Sequence, residues 1–140
     1  MSFLVMIPIH SQYVECIFSG VKKYEYRRRA PIREIQYIIL YETAPVSLVV
    51  GIAEVNECIC DTPSKLWNTT KNSSGLSKIA FDKYAEGRDE LYAFSLGAVK
   101  RFAAPFSVKV LGFESAPQSF CYVSEDRASS LVALLREGLE

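Results

Sequence analysis

Lys22-Lys23-Tyr24-Glu25-Tyr26-Arg27-Arg28-Arg29 is the stretch on which the fold turns. Its aromatics at 24 and 26 alternate with Glu25 and Arg27, the period of two that a strand imposes. As a strand, it places Lys23, Glu25, Arg27 and Arg29 on one face and Lys22, Tyr24, Tyr26 and Arg28 on the other. Three cations around one carboxylate make an unusual core face. Glu25 would hold Lys23 or Arg27 and leave the others for an anion. Arginine suits phosphate because its planar fork makes two parallel hydrogen bonds, and interleaved tyrosines can stack bases. The same charges equally suit a solvated edge strand protected against aggregation.

Upstream, Phe3 to Ile9 reads as a strand apolar on both faces and ended by Pro8. Ser11 is the expected N-cap of a helix whose face carries Tyr13, Val14, Ile17 and Phe18, with Gly20 as its stop. Downstream, strands are expected at Ile35–Tyr41 and at Ser47–Cys58, the second with a bulge or bend at Gly51. Asp61-Thr62-Pro63 starts a helix bearing Leu66 and Trp67. A polar loop over 68–75 precedes an apolar helix face of Leu76, Ile79, Ala80 and Tyr84, which ends at Gly87. Strands at Leu91–Arg101 and Phe106–Phe113 flank Ala103-Ala104-Pro105. After the turn Pro117-Gln118-Ser119-Phe120 comes a short strand. Ser124-Glu125-Asp126 then caps a last helix with Ala128, Leu131, Val132, Leu135 and Leu139 on its apolar face. Many short strands, a few helices and no βαβ rhythm indicate an α+β fold, a mixed β-barrel of about six strands with flanking and inserted helices.

The chain has 140 residues, 49% of them hydrophobic, with 16 basic against 16 acidic side chains. This composition builds one domain with its own core and excludes general disorder. Zero net charge removes any argument for bulk attraction to nucleic acid and leaves only a local patch. The apolar start is too short to cross a bilayer and lacks a secretion pattern, so a cytoplasmic protein without membrane contact is expected. Cys16, Cys58, Cys60 and Cys121 read as buried thiols in a reducing compartment. A Cys-x-Cys pair and one histidine fall short of a zinc site, so neither metal nor cofactor is expected. His10, at a strand–helix junction, is a candidate general base or a helix-orienting residue. Trp67 reads as core rather than a stacking platform.

The run Ser19-Gly20-Val21-Lys22-Lys23-Tyr24-Glu25-Tyr26-Arg27 resembles the small-Gly-x-Lys-x-x-Glu-x-Arg signature of ASCH domains, members of the PUA-like superfamily. The order of elements is similar too: a strand ending in Tyr41 before Pro45, the Val49–Val55 strand, Phe81-Asp82-Lys83-Tyr84 with Gly87, Tyr92-Ala93-Phe94, and Pro117-Gln118-Ser119-Phe120. The resemblance covers about residues 3–123 of a single domain spanning 1–140, leaving a C-terminal helix over about 124–138 as padding or a dimer contact.

The resemblance implies a PUA-like barrel whose cleft binds RNA or a nucleotide-like small molecule. Lys22, Glu25 and Arg27 would line it, with Arg28 beside them. His10, Tyr41, Gln118 and Ser119, at strand ends and turns, would complete the wall. A related branch hydrolyses acetylcytidine nucleosides with a pattern resembling Gly-x-Lys-Thr-x-Thr-x-Arg. This chain keeps Gly20, Lys22 and Arg27 but carries Lys23 and Glu25 at the threonine positions. An amidohydrolase acting on an acylated nucleoside, with Lys22 and Glu25 catalytic, is therefore the alternative. RNA cleavage supported by Lys22 and Ser119 is a weaker expectation, and a regulatory domain with an exposed anion site is a third reading.

Overall fold

A computed structural model describes residues 4–137 of the chain. In chain order the elements are β1 (Leu4–Ile9), α1 (Ser11–Ser19), β2 (Tyr24–Arg27), β3 (Tyr37–Glu42) and β4 (Leu48–Asp61). They continue with α2 (Pro63–Thr70), α3 (Lys78–Ala85), β5 (Leu91–Phe106), β6 (Cys121–Val123) and α4 (Glu125–Glu137). The six strands form one mixed sheet in the order β2-β5-β4-β3-β1-β6. It curls into a half-barrel, left open between β2 and β6. β1 runs parallel to β3, and every other pairing is antiparallel.

The alternation of apolar residues sorts them between two cores. Leu4 and Met6 of β1, with Tyr37, Ile39 and Tyr41 of β3, face α4, which buries Ala128, Leu131 and Leu135 among them. Val5, Ile7, Ile38 and Leu40 face α1, which contributes Val14 and Ile17. The C-terminal helix thus pads the sheet. A third, smaller core lies under α2 and α3, where Leu66, Phe81 and Ala85 pack on Tyr26, Leu91 and Ala93. Trp67 belongs to this cluster, its ring 4.8 Å from that of Phe81.

Several expectations need correction. Pro8 does not end β1, because β6 pairs only with Leu4–Met6 and the strand edge is open at Pro8. His10, not Ser11, holds the N-cap of α1. β2 spans four residues, so Lys22 precedes it and escapes the alternation. The polar stretch 68–75 is mostly helical: α2 runs to Thr70 and a 3-10 turn covers 71–73. On α3 the residue facing the core is Phe81, whereas Ile79 is 83% exposed. The strand expected at 106–113 is a 3-10 turn over Val108–Leu111, started by the Ser107 hydroxyl accepting the Lys109 N–H. β5 instead runs on through Ala103-Ala104-Pro105. Gly51 pairs with Arg101 and Val49 with Phe106, so Pro105 sits in a bulge and withholds no ladder hydrogen bond.

Gly51 lies beneath the Phe18 ring, and a Cβ there would meet the Lys100 carbonyl at 2.6 Å. The thiols are free but not buried: Cys58 and Cys60 are exposed, and Cys16 and Cys121 half-buried. Phe3 and Leu139 lie outside the described residues. No helix among the described residues is long and apolar enough to cross a membrane.

Candidate functional site

One cleft of about 550 Å³ opens between α1, β2 and α3. Roughly 300–1,000 Å³ is the range of small-ligand sites. β1 and α1 supply Ile9, His10, Gln12 and Tyr13, the basic segment supplies Lys22 and Glu25 to Arg28, and the α3 region supplies Leu76, Lys83 and Tyr84.

Lys22 is the innermost cation, 4% exposed. Its placement is dictated by backbone on both sides. α1 ends at Gly20, whose φ of 85° turns the chain back. The Lys22 N–H then bonds the Cys16 carbonyl, and the Lys23 N–H bonds that of Ser73 at 2.7 Å. Nζ donates to the Ser74 carbonyl at 2.8 Å and stands 4.9 Å from the centre of the Tyr26 ring and 5.7 Å from that of Tyr13. Gly75 closes this wall. Its φ is 70°, and a Cβ there would sit 2.7 Å from Lys22 Cβ, so glycine is required both for backbone and for space. The Ser74 hydroxyl holds the turn by donating within it and accepting the Leu76 N–H.

Glu25 projects from β2 with its side chain 13% exposed, and its carboxylate lies 3.9 Å from the Arg27 guanidinium. Burial pushes the Glu25 carboxyl above the usual carboxylate range, opposed by the positive charges of Lys22 and Arg27. Burial likewise lowers the Lys22 ammonium below the ordinary lysine range, opposed mainly by Glu25. Desolvation thus disfavours the charge on each group, while the attraction between the two charges favours it.

Tyr26 is fixed below them. Its ring meets Phe81 edge-on at 5.2 Å. Its hydroxyl lies 2.6 Å from Thr70 Oγ1. The Thr70 hydroxyl already donates to the Leu66 carbonyl, so Tyr26 is the donor in this bond. His10 is exposed at the cleft edge and contacts the Thr43 hydroxyl at 3.3 Å. It stands at the rim of the cleft and at the start of α1.

The structure brings together His10, Lys22, Glu25, Arg27 and Arg28. It does not bring Tyr41, Gln118 or Ser119 into the cleft. Tyr41 is buried on the α4 face of the sheet by strand parity. Gln118 and Ser119 are exposed, and it is the neighbouring Phe120 that approaches, its ring 5.6 Å from the Arg27 guanidinium carbon. Tyr13, Lys83 and Tyr84 also line the cleft, and no sequence pattern marks them as site residues. Tyr13 and Tyr84 read as apolar-face residues, and only the folded arrangement of α1, β2 and α3 turns them toward one space. No cluster of His, Cys, Asp and Glu suited to a metal occurs among the described residues.

A model of the ASCH domain matches residues 7–115. The chain belongs to the ASCH domain family. An ASCH domain-containing ribonuclease from Zymomonas mobilis is 26% identical over 141 residues, which span 92% of this chain and 90% of that one. The crystal structure of the ASCH protein from Zymomonas mobilis superposes with a TM-score of 0.82 at 26% identity, covering 94% of both chains. The N-terminal domain of Staphylothermus marinus McrB shares the fold at 12% identity, with a TM-score of 0.58. The Gly20–Arg27 signature of this ASCH domain thus lies on the cleft, with Lys22, Glu25 and Arg27 all lining it.

Proposed function

We propose that this ASCH domain binds RNA or a nucleotide-like ligand in the cleft between α1, β2 and α3. The observation that carries this reading is the cleft's composition: Arg27, Arg28 and Lys83 around tyrosine rings, with Glu25 the only carboxylate lining it among the described residues. Cations engage phosphate and tyrosine faces stack bases. Glu25 fixes Arg27 or accepts a hydrogen bond from a base. The relative named a ribonuclease supports the same ligand class.

Binding of a short labelled single-stranded RNA, followed by fluorescence anisotropy against salt, tests this. Three phosphate-facing cations correspond to a log–log slope of about −2. Arg27→Ala is expected to flatten that slope and weaken binding. Affinity that ignores salt would sink the reading.

The relative named a ribonuclease favours a second reading, in which bound RNA is also cleaved. Lys22, once deprotonated, would take the proton from the attacking 2′-hydroxyl, and the Glu25 carboxyl would give one to the departing 5′-oxygen. Ser119, exposed outside the cleft, has no part in this scheme. Incubated RNA separated on a gel decides the matter: fragments that disappear with Glu25→Gln support cleavage, and intact RNA removes it. Acylated-nucleoside hydrolysis is the less favoured alternative, since Lys23 and Glu25 replace the two threonines of that branch.

A further inference from the structure

Arg28 is held differently from the other cations of the cleft. Its Nε donates to the Tyr84 carbonyl at 2.9 Å, and its guanidinium carbon lies 4.2 Å from the centre of the Tyr84 ring. Tyr84 is itself anchored, its hydroxyl donating to the Tyr26 carbonyl at 2.9 Å. The guanidinium is thus held over an anchored ring with one nitrogen used. No carboxylate lies within ion-pair distance of Arg28 or Lys83 among the described residues. Lys83 adjoins Tyr84 on α3 and lines the same cleft.

The inner part of the cleft is balanced by comparison. Lys22 and Glu25 cancel whether the proton sits on the amine or on the carboxyl. The uncompensated charge therefore lies outside them, on Arg27, Arg28 and Lys83. Arg27 leans toward Glu25 and Phe120, whereas Arg28 is tied to α3 through Tyr84, the chain neighbour of Lys83.

We propose that Arg28 and Lys83, on the Tyr84 platform, form a phosphate subsite at the rim, so that the cleft selects a nucleotide over the nucleoside alone. This rests on the reading of the cleft as a nucleotide site and adds where the phosphate sits. An arginine anchored through Nε, with its Nη groups unspent among the described residues, can make two parallel bonds to a phosphoryl group.

Calorimetric titration with the four ribonucleosides, their 3′- and 5′-monophosphates, and a dinucleotide lacking terminal phosphates tests the subsite. The phosphorylated form of the preferred nucleoside is expected to bind about tenfold to a hundredfold more tightly than the nucleoside. Arg28→Ala should bring that ratio close to one. Tyr84→Leu, which keeps the carbonyl but removes the ring, should lower it in part. Lys109→Ala, an exposed lysine outside the cleft, is the charge-matched control and should leave it alone.

Preference for a monophosphate assigns the subsite to a terminal phosphate, and preference for the dinucleotide assigns it to an internal one. Either supports the subsite. Equal affinity for the nucleoside, the monophosphates and the dinucleotide, or a preference unmoved by Arg28→Ala, overturns it while leaving the cleft reading intact. No binding of any of these ligands or of RNA overturns both.

Discussion

Lys22→Met is expected to weaken RNA binding by about tenfold to a hundredfold while the protein stays folded. The figure follows from losing a charged donor worth roughly 1.5–3 kcal/mol. Methionine keeps the length and apolar bulk of the lysine stem, so the contact with Gly75 survives. Two effects on stability oppose each other. The Ser74 carbonyl loses its buried donor, which costs about 1–3 kcal/mol, but the desolvation of a buried ammonium is also removed.

Glu25 provides the distinguishing signature. Lys22 is one of the two charges holding its pKa down, so in the variant that pKa rises further above the carboxylate range. A carboxyl with a raised folded pKa contributes fully below its unfolded pKa. That contribution is lost as pH climbs through the folded value. Urea melts of Lys22→Met across pH should therefore show the loss extending to higher pH than in the parent. If affinity for RNA is unchanged, Lys22 is a packing residue and binding rests on Arg27, Arg28 and Lys83.

Phe81→Ala is expected to have the largest effect on stability, about 3–5 kcal/mol. The ring is 1% exposed and touches both Tyr26 and Trp67. Its loss leaves a cavity where α2, α3 and β2 meet, between Tyr26, Leu66, Trp67 and Leu91. A urea midpoint earlier by at least about 1 M is the expected reading. RNA affinity should fall as well, because Tyr26 supports Lys22 from one side of this ring and Tyr84 sits one turn along the same helix. A variant that melts like its parent would show that the small core does not hold the insert in place.

Local chemistry made much of this domain legible. Gly20 and the spacing of Val14 and Ile17 mark α1, and the Tyr24–Arg27 alternation marks β2, because short-range geometry alone decides those positions. The 3-10 turn at Val108–Leu111 was misread because apolar residues three apart can serve either a strand or a tight turn over a few residues. Pro105 seemed to break a strand because the bulge that accommodates it depends on the register against β4. At the site, Lys22, Glu25, Arg27 and Arg28 lie close in sequence and were found together. Tyr84 and Lys83 lie more than fifty positions away, and no local pattern connects them to Arg28. Tyr41 ends its strand before a Pro turn, but position at a strand end does not say which face a side chain takes, and Tyr41 faces α4.

The way the insert is attached to the sheet has a further meaning. The chain leaves β4 at Asp61 and rejoins at Leu91, and these two residues are direct cross-strand partners. Everything between them, including the Ser74–Gly75 turn over Lys22 and the Tyr84 platform, hangs from a single rung whose ends are already together. Lengthening such an excursion adds only about 0.6 kcal/mol per doubling, and no strand has to change register. One wall of the cleft can thus be exchanged as a cassette while the opposite wall stays built into the barrel. Ligand preference in this architecture can diverge faster than the fold that carries it.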